Sequence, residues 1–252
     1  MPHGMTRRRF VSSLSAATAA PASALLISAP SAAAQATAQS SAPAPVGGSP
    51  PVYLFLNPAE AQFIEAACER LIPADELGPG ALGAGVSNYF DKQLGGAWGA
   101  GERLYRSGPW TEGTPSQGYQ LPFTPAELFR TALHAINQDF LSRGTQFSAL
   151  GPDAQDAYLR KLELGGEDLN GVPSAVFFEQ LLKMTVEGFF SDPVYGGNRD
   201  MVSWRMIGFP GAYADYYEAI DRHGEKFIRE PMSLGEDGRG LLHTDPNIPA
   251  HL

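Results

Sequence analysis

The chain has only one cysteine, Cys68, among 252 residues. A single cysteine cannot form an intramolecular disulfide, ligate an iron–sulfur cluster or provide the C-x-x-C-H site that attaches haem covalently. Cys68 lies on the apolar face of a predicted helix, so we expect it to be buried and unreactive. A disulfide to a cysteine of a partner is the alternative that the sequence leaves open.

The sequence also lacks a long hydrophobic run and an excess of positive charge. Its most apolar stretch, residues 11–30, is diluted by serines and broken by Pro21, whereas a membrane helix needs about 20 mostly apolar residues. We therefore expect no direct membrane span. Lysine and arginine number 18 against 27 acidic residues, for a formal net charge of -9. An acidic chain disfavours nucleic acid as a partner.

The N-terminus carries adjacent arginines before that mildly apolar stretch. Arg7, Arg8 and the aromatic Phe10 match the twin-arginine export address of bacteria, which carries proteins that are already folded. Small residues at 32–36 fit a cleavage site. The sequence thus predicts a signal peptide over residues 1–34 and a mature protein in the periplasm or at the periplasmic face of the inner membrane. A basic N-terminus without targeting function is the alternative.

Helical patterns dominate the remainder, and strand patterns are scarce. Residues 35–51 have the composition of a flexible linker. We predict an all-α fold, a single irregular helical domain over residues 52–220 with long Gly/Pro-rich loops, and an extended C-terminal tail over 221–252. The best strand pattern is residues 52–56, and one short strand does not make a sheet. The predicted helices cover residues 58–71, 84–94, from 125 onward, 153–162, from 174 onward (the most apolar and central one) and 212–220.

One glycine pattern matches a nucleotide-binding fingerprint by letter only. Residues 78–83 read G-P-G-A-L-G, but a predicted helix precedes them where the fingerprint needs a strand. We interpret this stretch as a helix-to-helix turn. No phosphate-binding lysine loop, nucleophile elbow or zinc-helix motif occurs. We therefore expect no catalytic, cofactor-binding or metal-binding residues in this chain.

The segment 191–211 concentrates residues typical of interfaces. It contains Tyr195, Arg199, Trp204 and Phe209 between glycines and prolines. Tyrosine, tryptophan and arginine are enriched where a few side chains dominate binding energy. We predict a partner interface here. The alternative is a loop that folds back over its own core, with Trp204 and Phe209 buried.

Several motifs together resemble the gluconate 2-dehydrogenase subunit 3 family. These motifs are L-I-P-A-D at 71–75, T-P-A-E-L-F-R at 124–130, F-F-S-D-P-V-Y-G-G-N at 189–198 and G-F-P-G-A at 208–212. The resemblance implies a small subunit that accompanies a large FAD-dependent dehydrogenase of sugars, polyols or sugar acids. It also implies a multihaem cytochrome c as a possible third subunit, with FAD and haem c held by those partners. The small subunit would supply the export signal and help the flavoprotein mature.

Two other functions stay open at this stage. One is a self-sufficient periplasmic enzyme that uses Asp192, Asp200 and Arg199. The other is a binding protein whose loops 95–123 and 191–211 form a ligand cleft.

Overall fold

The fold is built from α-helices whose ends are largely set by local sequence. A computed structural model describes residues 52–111, 113–114, 120–213, 220–225 and 228–235. Within these residues there are six α-helices and no β-strand, which confirms the all-α prediction. The helices are α1 (Pro58–Leu71), α2 (Val86–Leu94), α3 (Pro125–Ser142), α4 (Pro152–Leu164), α5 (Ser174–Phe190) and α6 (Val202–Ile207). The predicted signal peptide with Arg7, Arg8 and Phe10, and the predicted linker 35–51, lie outside the described residues.

Two helices begin at the capping motifs that the sequence predicted. At α1 the side chain of Asn57 accepts the N–H of Glu60 at 3.0 Å, and the Glu60 carboxylate accepts the N–H of Asn57 at 2.9 Å. Thr124 and Glu127 form the same reciprocal pair at α3. Each motif satisfies two N–H groups that the first turn of a helix otherwise leaves without a partner.

Most of the last predicted helix, residues 212–220, lies outside the described residues; of its first two residues, Ala212 and Tyr213, neither is helical. The structure also has a six-residue helix, α6, inside the segment predicted to be irregular. Residues with left-handed backbone, Met201 and Gly208, bound this helix on both sides. A helix this short gives too little periodic pattern to be recognised from sequence.

The core is a chain of phenylalanines that joins four helices. The ring of Phe63 on α1 lies 6.2 Å from that of Phe177 on α5, which lies 5.4 Å from Phe129 on α3. Phe129 in turn meets Phe90 of α2 edge to face at 5.6 Å. All four rings are almost fully buried. Helix α5 contacts α1, α2, α3 and α4, which confirms its predicted central place.

The segment before α1 forms no strand, although it has the best strand pattern. The carboxylate of Asp91, on α2, accepts the N–H groups of Leu54, Phe55 and Leu56, each at 2.8 Å. Arg130 of α3 donates to the carbonyl of Phe55 and lies over its ring at 4.2 Å. The backbone donors that a sheet would use are thus taken by a buried side chain. From Tyr53 onward the described residues belong to one compact unit.

Candidate functional site

The segment 191–211, predicted as an interface, is tightly folded rather than a loose loop. It contains two 3-10 turns, Pro193–Tyr195 and Arg199–Met201, followed by α6. The first turn is capped by Asp192, whose carboxylate accepts the N–H of Val194 at 3.0 Å. The segment lies against α2 and α5.

Close backbone packing at Gly197 holds the segment against α5. A Cβ atom at this position would clash with the carbonyl oxygen of Gly188 and lie 2.8 Å from its carbonyl carbon. Gly188 is itself packed against the ring of Tyr89 on α2. Because both glycines lack side chains, the segment, α5 and α2 approach one another closely here. Gly197 is therefore required for space, since its φ is not in the left-handed region.

A buried asparagine organises the strained part of the segment. Asn198 is fully buried, accepts the N–H and the hydroxyl of Ser203, and donates to the carbonyl of Ser191 at 2.9 Å. Asn198, Asp200 and Met201 all have left-handed φ, at 45°, 56° and 53°. Such conformations cost on the order of 1–3 kcal/mol each and persist where surrounding contacts impose them. The hydrogen bonds of Asn198 join Ser191 and Ser203, which flank these positions on either side.

The structure separates the four predicted interface residues into two groups. Tyr195 and Phe209 expose 49% and 44% of their surface, and Arg199 is also exposed. Trp204 is only 6% exposed and donates its indole N–H to the carbonyl of Phe190 at 2.9 Å. The rings of Trp204 and Phe209 meet edge to face at 5.2 Å. Trp204 is therefore a buried support for Phe209. The fold-back alternative expected both side chains to be buried, and only Trp204 is.

Asp192 belongs to a structural network that the sequence did not reveal. Its carboxylate accepts the hydroxyl of Ser233 at 2.5 Å and the N–H of Leu234 at 2.8 Å, and Ser233 is buried. Nearby, the backbone of Met232 bonds to Pro210 and Ala212. Residues 232–235 of the predicted tail are thus packed against the segment 191–211. No local pattern could have shown this pairing, because its partners are about forty residues apart in sequence.

This network weakens the hypothesis of an enzyme that uses Asp192, Asp200 and Arg199. A general acid or base needs an oxygen free to meet a substrate. Both carboxylate oxygens of Asp192 already accept hydrogen bonds from the protein. Among the residues that the structure describes, no three or more His, Cys, Asp or Glu side chains cluster as metal ligands.

Residues of loop 95–123 line one side of an open cleft of about 260 Å³. Its floor is Leu128 and Phe129, and Trp98 and Leu104 stand partly exposed beside it. Polar side chains of α5 line the remaining side, namely Glu179, Gln180 and Lys183. Among the described residues that line this cleft, none belongs to the segment 191–211.

The glycine pattern at 78–83 is a helix-to-helix turn, as predicted. It joins α1 to α2, and the carboxylate of Glu69 accepts the N–H groups of Ala74 and Leu82 at 3.0 and 2.9 Å. A Cβ at Gly80 would clash with this carboxylate. The carboxylate of Glu69, on α1, therefore fixes the conformation of this turn.

A sequence model of the family described as gluconate 2-dehydrogenase subunit 3 matches residues 58–211, well over half of the chain. The chain belongs to this family. No curated protein and no solved structure matches it. This membership confirms the resemblance seen in the motifs. A subunit 3 implies a multi-subunit dehydrogenase complex.

The family match follows the architecture of this subunit-3 protein closely. It begins at Pro58, the first residue of α1, and ends at Gly211, where the segment 191–211 meets Met232. The match therefore includes Asn198 and Gly197 but excludes Ser233. Among the described residues of the subunit, no helix has the length and apolar character needed to cross a membrane.

Cys68 of the subunit-3 protein is buried, as the sequence predicted. Its sulfur lies 3.3 Å from the hydroxyl oxygen of Thr185, which itself donates to the carbonyl of Leu181. Burial raises the pKa of Cys68 from an ordinary 9.0 to about 12, and the contact with Thr185 opposes this only in part. The thiolate is the reactive form, so the folded subunit keeps the thiol unreactive at neutral pH.

We expect Cys68→Ala to lower the free energy of unfolding by about 1 kcal/mol or less, because few buried atoms are removed.

We also expect the stability of the wild type to depend on pH above 9.0, where the thiol of the unfolded chain ionises and that of the folded chain does not. The unfolded state then binds fewer protons, so the free energy of unfolding falls as the pH rises. Denaturant titrations of both proteins between pH 7 and pH 10 measure this. The wild type should lose more stability than Cys68→Ala, and rapid labelling of Cys68 under native conditions would contradict burial.

Proposed function

We propose that this chain is the non-catalytic small subunit of an FAD-dependent dehydrogenase that acts on gluconate, another sugar acid, a sugar or a polyol. In this proposal the chain supplies the twin-arginine signal for the complex and helps the flavoprotein subunit mature. FAD resides in the large subunit, and a membrane-associated multihaem cytochrome c is a possible third subunit. The assembly works in the periplasm or at the periplasmic face of the inner membrane.

The match to the family over residues 58–211 is the observation that carries this proposal. The geometry of the segment 191–211 adds a physical argument for a partner. The segment is held by Gly197 and Asn198, yet it leaves the rings of Tyr195 and Phe209 about half exposed. A rigid surface with exposed aromatic rings binds with little loss of conformational entropy.

Purification of the complex and of the isolated chain tests the proposal. Co-expression with the flavoprotein partner should give a stable assembly in which flavin absorbance follows the large subunit. The mature chain alone should show no flavin absorbance and no dehydrogenase turnover. An isolated chain that turns over a sugar acid, or a monomer that never associates with a flavoprotein, would refute the proposal.

Single substitutions in the segment test its part in assembly. We expect Tyr195→Ala to weaken association by about 2 kcal/mol, because a partly exposed ring can be buried by a partner. Arg199→Ala should also weaken it, whereas changes in the linker 35–51 should not. Trp204→Ala is not a clean probe of the interface, because it removes a buried side chain and should destabilise the subunit itself. Binding titrations with the purified flavoprotein, read beside thermal unfolding of each variant, separate these effects.

Wild-type affinity in both Tyr195→Ala and Arg199→Ala would show that this segment is not the interface.

A further inference from the structure

The two exposed aromatic rings of the segment 191–211 are too small to hold a stable partner by themselves. A tyrosine or phenylalanine can bury about 150–250 Å² when fully covered. Tyr195 and Phe209 are about half exposed, so each offers on the order of 100 Å². A stable interface usually buries about 800 Å² on each side. An obligate subunit therefore needs more surface around these two rings.

Helix α5 supplies an outward face that runs away from the segment. The exposed residues Glu179, Lys183, Val186, Glu187 and Phe190 recur at helical spacing on the side opposite the core. They span about 16 Å along the helix axis. Val186 and Phe190 are apolar yet 40% and 38% exposed, on the helix that contacts four others in the core.

One end of this face meets the cleft at Trp98. Glu179, Gln180 and Lys183 form the α5 side of that cleft. The position of Trp98 is set by its neighbour Gly99, where a Cβ would clash with the carbonyl oxygen of Leu94. The carbonyl of Gly99 also accepts the N–H of Ala126 on α3 at 3.0 Å. Trp98 is therefore presented by backbone that packs closely on α2 and bonds to α3.

The other end of the face meets the segment 191–211. The carbonyl of Phe190 accepts the indole N–H of Trp204, whose ring packs on Phe209. Along the side of α5, the hydroxyl of Tyr89 reaches the carboxylate of Glu187 at 3.5 Å. A Cβ at Gly196, next to Tyr195, would lie 2.9 Å from the side chain of Lys92 on α2. The surface is thus continuous from the cleft to the segment.

We propose that the large catalytic subunit docks along this α5 face, defined as Trp98, Leu104, the exposed residues of α5, Tyr195 and Phe209. The inference rests on the proposed function, because it assumes the dehydrogenase partner. That partner should insert an apolar side chain at Trp98 and Leu104 and cover Phe190 and Phe209 at the other end. Between them its charges should complement the exposed pair of Lys183 and Glu187, whose charged atoms lie 3.9 Å apart.

Charge insertion at the middle of the face tests the proposal. Val186→Glu should weaken binding of the purified flavoprotein subunit at least about ten-fold, since a carboxylate would be buried against apolar surface. The matched control is Leu141→Glu, which adds the same charge at an exposed leucine of α3 outside the face. That control should change the dissociation constant by less than about two-fold.

A second pair of variants distinguishes weaker binding from loss of folding. Lys183 and Glu187 form an exposed i,i+4 ion pair on α5, and Asp139 and Arg143 form one on α3. Lys183→Glu should weaken flavoprotein binding, whereas Arg143→Glu should not. Exposed pairs of this kind contribute little to stability, so both variants should unfold near the wild-type temperature.

The outcomes separate this inference from the proposed function. If wild-type chain binds no flavoprotein subunit, the proposed function fails. If wild-type chain binds but Val186→Glu, Lys183→Glu and Trp98→Ala bind equally well, the docking face is wrong and the function stands. Loss of self-association of the chain, without loss of flavoprotein binding, would assign the face to a second copy and also overturn the inference.

Discussion

Changing Arg7 and Arg8 together to lysine is expected to leave both this chain and its flavoprotein partner in the cytoplasm. The twin-arginine address depends on the arginine pair, and lysine preserves only the positive charge. A signal peptide that requires only positive charge at its N-terminus would therefore tolerate the change. Because the proposal gives the chain the signal for the whole complex, the partner should be retained with it. We expect dehydrogenase activity at the periplasmic face to fall to near background.

Cell fractionation measures this result directly. Both subunits are followed by immunoblot, and flavin-dependent activity is measured with a membrane-impermeant electron acceptor. Arg9→Lys is the matched control, because Arg9 occupies the variable position of the motif, between the pair and Phe10. The Arg9→Lys variant should be exported normally. Normal activity at the periplasmic face in the double-lysine strain would refute escort of the partner, even if this chain itself stayed behind.

Gly197→Ala is expected to have the largest effect on the folded subunit. The added methyl group would overlap the carbonyl oxygen of Gly188 in α5 and crowd the hydroxyl of Ser191. Neither backbone can move without lifting the segment 191–211 from the helix. We expect a loss of about 4 kcal/mol in the free energy of unfolding, at the upper end for single substitutions. Partner binding should fall with it, because Tyr195 and Phe209 would lose their fixed positions.

Gly208→Ala is the control within the same segment. Gly208 has a left-handed φ of 71°, but a Cβ there would meet no atom within 4 Å. Its replacement should cost only about 1–2 kcal/mol, from backbone strain. Urea titrations of the two variants compare the effect of a steric clash, in Gly197→Ala, with the effect of backbone strain alone, in Gly208→Ala. Equal stabilities would show that close packing at Gly197 does not hold the segment.

Local chemistry explains why the helix starts could be predicted from sequence. The pairs Asn57/Glu60 and Thr124/Glu127 lie three residues apart, and each pair satisfies its own backbone donors. Cys68 could likewise be placed in the core, because helical periodicity decides which face is apolar. The absence of a strand before residues 78–83 was enough to interpret them as a turn.

Residues distant in sequence decided features that local patterns could not show. The segment 52–56 has strand-like residues, but its N–H groups bind Asp91, more than thirty residues away. Trp204 has the composition of an interface residue, but its indole N–H bonds inside the fold to the carbonyl of Phe190. The predicted tail packs through Ser233 onto Asp192.

The sequence by itself determined the helical class, the capped helix starts, the burial of Cys68 and the family. These features depend on helical periodicity, on capping pairs that lie three residues apart and on short motifs, all of which are local in sequence. Only the tertiary structure decided which residues of the segment 191–211 face outward, and that α5 carries an exposed face beside them. The reason is physical: the orientation of an irregular segment depends on close backbone contacts, such as that of Gly197 with Gly188, between parts of the chain that come together only on folding.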